Sequence, residues 1–177
     1  MSEWKIDSAH ATVEFKTRHL GISWVRGIVN GAEGSVNLNI DDLKSLSFEA
    51  TMDTSSINSG MAMRDGHLKG ADFLDVEKFP KSNLKSISVE SVQGNMIKVK
   101  ANLTLKGITK EVISEVTYLG QQTKMNQDGT TNNVIAFSAT AEIDRRDFNM
   151  LWNVDLPGGK VLIGNEIYLQ IDVEALQ

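Results

Sequence analysis

Strict alternation between apolar and polar residues recurs along this chain and constrains its fold more than any other feature. Between positions 97 and 105 every odd-numbered residue is apolar and every even-numbered residue is lysine, asparagine or threonine. The same period of two runs through positions 11–19, 36–40, 46–53, 135–143 and 167–174. Because successive side chains of a β-strand point to opposite faces, the pattern predicts strands with one buried and one hydrated face.

Turn-forming residues separate these segments. Glycine, aspartate or asparagine is found within 31–34, 41–42, 93–95, 128–129 and 158–159 and at 107. Such short connections favour antiparallel neighbours. About eight strands in a chain of 177 residues favour a sheet that closes on itself, since closure removes unpaired strand edges. We expect one all-β domain over 1–177, an antiparallel eight-stranded β-barrel, with a two-sheet sandwich as the alternative.

One region departs from the period of two. The segment 59–76 fits one or two short helical turns, with Ser59 as a possible cap and with Met61, Arg64 and Leu68 on a common side. Gly66 and other glycines would keep such a helix short. We expect a short helical crossover that could plug one end of the barrel.

Composition and charge exclude several classes of protein. The chain contains no cysteine, which excludes disulfides, thiolate nucleophiles and cysteine-ligated metal centres. A formal net charge of −5 argues against nucleic acid and against an anionic membrane surface as partners. No apolar run is long enough to cross a bilayer, so we expect no membrane insertion. The opening residues 1–7 lack the core of a signal peptide, so we expect a cytoplasmic location, or a periplasmic one if a leader has been removed.

Many residues on the inward parity are small, among them Ala50, Ala139 and Ala141. An eight-stranded barrel either fills its interior with side chains or holds one small ligand, and the volume of the inward residues decides between the two. The alanines are consistent with a packed core and with an apolar cavity for a lipid-like ligand. The candidate cavity residues are Val13, Phe15, His19, Trp24, Val36, Leu38, Phe48, Ala50, Met52, Val99, Ala101, Leu103, Phe137, Ala139, Ala141, Leu169 and Ile171.

Charged residues in and after the crossover offer contacts for the head group of a ligand. The candidates are Arg64, Asp65, His67 and Arg145. A guanidinium presents several fixed donors to an anionic or carbonyl head group. The alternative is structural: these arginines bond to aspartates or to backbone carbonyls and hold the crossover on the barrel rim.

The chain shows no motif of catalysis or cofactor binding. His10, His19 and His67 could together bind zinc, but their spacing is too wide for a local metal motif. A Gly-x-Ser-x-Gly nucleophile elbow, a phosphate loop and a dinucleotide fingerprint are all absent from the sequence. We therefore expect no catalytic residue, metal or cofactor, and a protein that is not an enzyme.

Four segments of the sequence resemble the YceI-like family, whose members are also called polyisoprenoid-binding or lipid-binding YceI-like proteins. Together they cover essentially the whole chain in the order of the family. The segments are Trp4–His10 with Val13, Phe15, His19 and Gly21; Arg64–Leu68 with Asp72–Val76, Phe79 and Pro80; Leu103–Lys110; and Arg145–Phe148. In the last of these, Asn149 stands where the family commonly has glycine.

The resemblance implies an extended, lipocalin-like β-barrel whose interior holds a long polyisoprenoid or a related lipid such as a quinone tail. It also implies binding for transport or storage. Two other hypotheses stay open: an enzyme acting on a lipid or quinone, or a metal-binding protein, that uses His19, His67 and Arg64; and a stress-response scaffold with a filled barrel. The sequence leaves the oligomeric state open, with a homodimer possible.

Overall fold

The computed structural model describes all 177 residues and consists mainly of β-strands. Eleven strands, one α-helix and two short 3₁₀-helices follow one another along the chain. The strands are β1 (Ser2–His19), β2 (Ser23–Asn30), β3 (Glu33–Asn39), β4 (Asp42–Asp53), β5 (Lys81–Gln93), β6 (Met96–Leu105), β7 (Ile108–Met125), β8 (Thr131–Asp144), β9 (Asp155–Leu156), β10 (Lys160–Val161) and β11 (Glu166–Leu176). The helix α1 spans Ala62–Lys69, and the 3₁₀-helices span Thr54–Ser56 and Arg145–Phe148.

Pairing between the first and the last strand closes the sheet. β1 lies antiparallel to β11, with Val13 opposite Ile171 and Phe15 opposite Leu169. From there the ring runs through β1, β3, β4, β5, β6, β7, β8 and β11. The structure is therefore a closed, antiparallel eight-stranded β-barrel, as the alternation and the turns predict, and not a two-sheet sandwich.

The three remaining strands are β2, β9 and β10. β2 pairs with the second half of β1, on the same edge whose first half pairs with β3. β2 and β3 therefore follow β1 together as one long bent strand. The short strands β9 and β10 pair only with each other and form a separate hairpin.

The irregular segments gather at one end of the barrel. Because the ring strands alternate in direction, the turns after β1 and β6 and the segments 54–80 and 145–165 all lie at this end. We call the segments 54–80 and 145–165 together the lid. The opposite end has mainly short turns, and one of them is the hairpin predicted at Gly94 and Asn95, where Gln93 pairs with Met96.

Two separate apolar clusters occupy the two ends of the barrel interior. The floor cluster lies at the end opposite the lid and comprises Trp4, Ile6, Ala11, Ala32, Val36, Leu38, Leu46, Ile97, Val99, Val116, Ile135, Phe137 and Ala175. The lid cluster comprises Phe73, Leu103, Ile143, Phe148 and Met150, with Trp152 and Leu68 packed against it. The barrel is therefore sealed by its own side chains at the floor and covered by a second packed layer at the lid.

A two-residue turn between β6 and β7 holds the lid in place. Lys106 and Gly107 both have positive φ, of 49° and 75°, as the type I′ hairpin requires. The Nζ of Lys106 donates to the carbonyl of Ala71 at 2.7 Å and to that of Asn149 at 3.1 Å. One lysine thus ties both segments of the lid to the barrel rim.

Asn149 ends the 3₁₀-helix Arg145–Phe148 in the left-handed conformation, with φ 56° and ψ 34°. Asparagine populates this region more readily than most residues other than glycine. The turn therefore has a glycine-like backbone even though the residue at this position is asparagine.

The crossover contains the expected short helix, but Ser59 is not its cap. The helix begins after Met61, whose side chain makes no capping hydrogen bond. Ser59 lies two residues before the capping position, and Gly60 turns the chain between them with φ 79°. The hydroxyl of Ser59 donates to Asp65 instead. No helix in the structure has the length and apolar character needed to span a membrane.

The close approach of β3 and β4 gives a test of the barrel geometry. Gly34 has φ 148°, and a Cβ there would lie 2.0 Å from the carbonyl oxygen of Glu49. We expect Gly34→Ala to lower the free energy of unfolding by at least about 2 kcal/mol, measured by urea denaturation. Gly66→Ala is the control, since nothing lies within 4 Å of its Cβ in α1, and it should raise stability by about 0.5–1 kcal/mol. Equal stability of the two variants would contradict this strand geometry.

Candidate functional site

A large apolar cavity lies in the barrel between the floor cluster and the lid. Its volume is about 690 Å³, and 35 of its 47 lining residues are hydrophobic. Floor residues such as Val36 and Phe137 and lid residues such as Phe73 and Met150 both contribute to its wall. This volume is within the range of about 300–1,000 Å³ that is typical of small-molecule sites.

Small side chains explain why the barrel interior is open between the floor cluster and the lid. Ala50 on β4 and Ala139 and Ala141 on β8 all line the cavity. Each ends at Cβ, so none of them reaches across the barrel. An eight-stranded barrel has room for one small ligand when its inward residues do not fill it. The cavity therefore follows from the inward alanines that the sequence shows.

Thirteen of the seventeen predicted cavity residues lie in the wall of this cavity, and their contact with a ligand stays a prediction. They come from β1, β3, β4, β6, β8 and β11. They are Val13, Phe15, His19, Val36, Phe48, Ala50, Met52, Leu103, Phe137, Ala139, Ala141, Leu169 and Ile171.

Leu38, Val99 and Ala101 point inward but do not line the cavity. Leu38 and Val99 belong to the floor cluster, and their exposed fractions are 1% and 0%. Ala101 is 0% exposed as well. Assigning these three residues to the cavity wall was wrong, because the barrel is filled with side chains at their positions.

Trp24 lies on the outer face of the barrel, so its assignment to the cavity was also wrong. In the register of β1 and β2 it is opposite Arg18, whose guanidinium carbon lies 3.8 Å from the centre of the indole ring. The ring of Tyr168 packs edge-on against Trp24 with centroids 5.5 Å apart. The inward residues of β2 are Val25 and Val29, which do line the cavity.

The lid supplies wall residues that the alternation could not identify. They come from α1 and the loops around it and from the segment before β11: Met61, Met63, Leu68, Phe73, Leu74, Met150, Trp152, Leu162 and Ile163. None of these lies in a strand of the barrel, so a period of two carries no information about them. Met61 and Met63 are 50% and 81% exposed while also lining the cavity. They therefore mark its opening to solvent, which we call the mouth.

Arg64 lies in the cavity wall near the mouth, whereas Asp65 is not among the residues that line the cavity. Arg64 donates from Nε to the hydroxyl of Ser59 at 2.7 Å and from Nη2 to the Ser59 carbonyl at 2.8 Å. Asp65 accepts hydrogen bonds from the hydroxyl and the backbone N–H of Ser59, which lower the pKa of its carboxyl. Asp65 therefore fixes the loop before α1, and its contact with a head group stays a prediction.

His67 is held between two aromatic rings in the wall of the cavity. Its ring packs edge-on against Phe73 and Trp152, with centroid distances of 4.9 and 4.6 Å. Its Nε2 lies 2.9 Å from Oδ2 of Asp72. This arrangement fixes the orientation of the imidazole and leaves Nδ1 without a partner in the protein.

The three histidines do not form a common metal site. His19 and His67 line the cavity, whereas His10 lies on β1 beside Asp7 and Glu174. The one group of metal-ligating side chains that is close enough to share an ion contains neither His19 nor His67.

Arg145 is a buried cation that holds the lid together. It is 2% exposed and donates from Nε to the carbonyl of Gly164 and from Nη1 to the carbonyls of Met150 and Trp152. Burial lowers the pKa of its guanidinium, and the charge of Asp144 opposes that shift. The side chain reaches the cavity wall, but its donors bond to three lid carbonyls and to Oδ1 of Asn165, so Arg145 holds the lid as the structural alternative predicts.

Comparisons with known proteins find relatives over almost the full length of the chain. The model of a family described as YceI-like domain matches residues 4–175. Protein YceI of Salmonella arizonae is 33% identical over 178 residues, a match that covers 99% of this chain and 87% of that protein.

Solved structures share the barrel architecture. BcnA of Burkholderia cenocepacia has a TM-score of 0.77 at 20% identity, covering 96% of this chain and 99% of that one. A polyisoprenoid binding domain from Saccharophagus degradans, implicated in plant cell wall breakdown, has a TM-score of 0.70 at 10% identity and covers 97% of both chains. At these identities the likeness establishes the fold.

Replacing Arg145 should destabilise the protein as a whole. We expect Arg145→Lys to lower the free energy of unfolding by about 3 kcal/mol, because one ammonium cannot serve several buried carbonyls at once. Urea denaturation measures the change. Arg146→Lys is the matched control, since Arg146 is exposed and pairs with Asp144 on the surface, and it should unfold close to the wild type. Wild-type stability of Arg145→Lys would contradict the role assigned to this residue.

Proposed function

The chain belongs to the family of YceI-like domains, and on that premise we propose that it binds a long-chain polyisoprenoid or a related lipid, such as a quinone tail, inside the barrel. The bound molecule is held for transport or storage, and the protein is a binding protein rather than an enzyme. The resemblance read from the sequence is confirmed by the family match.

The observation that carries this proposal is the apolar cavity of about 690 Å³. Removing apolar surface from water contributes roughly 25 cal/mol per Å², so a hydrocarbon tail that buries several hundred Å² has a gross driving force on the order of 10 kcal/mol. Ordering the tail and restricting its translation subtract several kcal/mol from this. The remainder is sufficient for binding without any charged contact.

The structural neighbour from Saccharophagus degradans supports the class of ligand. That protein is described as a polyisoprenoid binding domain, and it shares the barrel over 97% of this chain. A branched, flexible hydrocarbon suits a cavity walled by alanine, valine, leucine and methionine, because apolar side chains impose no fixed hydrogen-bond geometry on it.

The mouth supplies the contacts for a polar head group. Arg64 lies beside Met61 and Met63, and its Nη1 makes no hydrogen bond within the protein. His67 presents Nδ1 from the same part of the lid. On this proposal the tail lies among the alanines of β4 and β8, and Arg64 and His67 bind an anionic or carbonyl head group at the opening.

The two other hypotheses from the sequence receive less support. A filled scaffold is disfavoured by the open interior between the floor cluster and the lid. For an enzyme working through His19, His67 and Arg64, no contact among these three side chains gives specific support, since His67 is bonded to Asp72 and Arg64 to Ser59.

Filling the cavity should abolish lipid uptake while the barrel stays folded. We expect Ala139→Phe to weaken binding of a fluorescent prenyl lipid at least about tenfold, because the phenyl ring occupies the space of the tail. Titration of the purified protein measures the affinity, and circular dichroism checks the fold. Thr140→Phe is the matched control, since it places the same ring on the exposed face of the same strand. Equal affinities of the two variants would contradict a ligand inside the barrel.

Trp152 should report the ligand directly. It lines the cavity, whereas Trp24 lies on the outer surface and Trp4 is buried in the floor cluster. We expect an unlabelled prenyl lipid to change the tryptophan emission of the wild type and of Trp24→Phe, and to leave that of Trp152→Phe nearly unchanged. A ligand-induced change that survives in Trp152→Phe would place the binding site elsewhere.

A further inference from the structure

A second cluster of potential ligand atoms lies on the seam where the barrel closes. Between the pairs Ile6–Ala175 and Ala11–Val173, four residues of β1 stand opposite the single residue Glu174 of β11. The chain of β1 therefore bulges out here, and bulges commonly re-aim side chains towards a functional site. The bulge brings Asp7 and His10 beside Glu174.

The distances within this cluster suit one metal ion. Nδ1 of His10 lies 2.8 Å from Oδ2 of Asp7 and 3.9 Å from Oε2 of Glu174, and all three ligand atoms lie within 4.8 Å of one another. In tetrahedral zinc sites, with bonds of about 2.0–2.1 Å, ligand atoms lie about 3.3 Å apart. Small rotations of the side chains would therefore bring the three atoms to coordinating positions.

A hydrogen bond from the backbone holds the carboxylate of Asp7 in place. Oδ1 of Asp7 accepts the backbone N–H of Ala9 at 3.0 Å, which leaves Oδ2 directed at His10 and Glu174. Such a fixed outer contact orients the ligands of known metal centres. The carboxylates of Asp7 and Glu174 supply two negative charges to balance a divalent cation. The positive charge of Lys124, which lies near Asp7, partly offsets them.

We propose that Asp7, His10 and Glu174 form a surface site for a divalent transition metal of the zinc class. One imidazole nitrogen and two carboxylate oxygens match the ligand preference of Zn²⁺, with water in the fourth position. Mg²⁺ and Ca²⁺ prefer sites built from oxygen ligands alone and in greater number. The ion bridges β1 and β11, so it stabilises the seam that closes the barrel.

The test is titration of the chelator-treated protein with Zn²⁺ by isothermal titration calorimetry. We expect one ion per chain and little binding of Mg²⁺. His10→Ala and Glu174→Gln should each weaken Zn²⁺ binding at least about tenfold, since loss of even an outer-shell contact costs about 10–100-fold. Both side chains are partly exposed, at 51% and 39%, so neither change should unfold the protein.

Glu14→Gln is the matched control, since Glu14 is an exposed carboxylate on the same strand and faces Gln170 rather than the cluster. It should bind Zn²⁺ like the wild type. Because the ion joins two strands, Zn²⁺ should also raise the melting temperature of the wild type and of Glu14→Gln, but not that of His10→Ala. No stoichiometric Zn²⁺ binding, or equal binding by His10→Ala and the wild type, would overturn the proposal.

Discussion

Closure of the sheet by β1 and β11 is the constraint on which the rest of the structure depends. Once these strands pair, every second residue of eight strands faces a shared interior that the chain must either fill or leave open. At the floor it is filled, by Trp4, Leu38 and Val99 among others. At mid-height Ala50, Ala139 and Ala141 leave it open. The cavity is thus a consequence of where large and small residues fall along the inward stripes.

Arg145 in the lid and Lys106 on the barrel rim hold the backbone of the lid. Arg145 binds three carbonyls of the segment before β11, and Lys106 binds one carbonyl from each half of the lid. A lid built from loops has many carbonyls without strand partners, and buried carbonyls are costly unless they accept hydrogen bonds. Two long cationic side chains meet this need. Their positions within the sequence segments that resemble the family are explained by structure, without reference to a ligand.

The period of two predicts which face of a strand is buried, and it does so correctly for most of the barrel. It does not predict depth along the barrel axis. Val99 and Ala101 share their parity with Leu103, yet only Leu103 reaches the cavity, because strand tilt and register decide which inward residues meet the floor. Trp24 could have been placed correctly, since it shares its parity with Arg26 and alternates with Val25 and Gly27. The lid residues could not, because their contacts depend on how two distant loops pack together.

The central claim is that the open part of the barrel holds an apolar tail, and native mass spectrometry of the protein purified from its host without detergent tests it most directly. The account predicts a population heavier than the chain by the mass of one lipid, which organic extraction recovers as a polyisoprenoid or related compound. Protein that carries no apolar molecule and takes up no added prenyl lipid would contradict it.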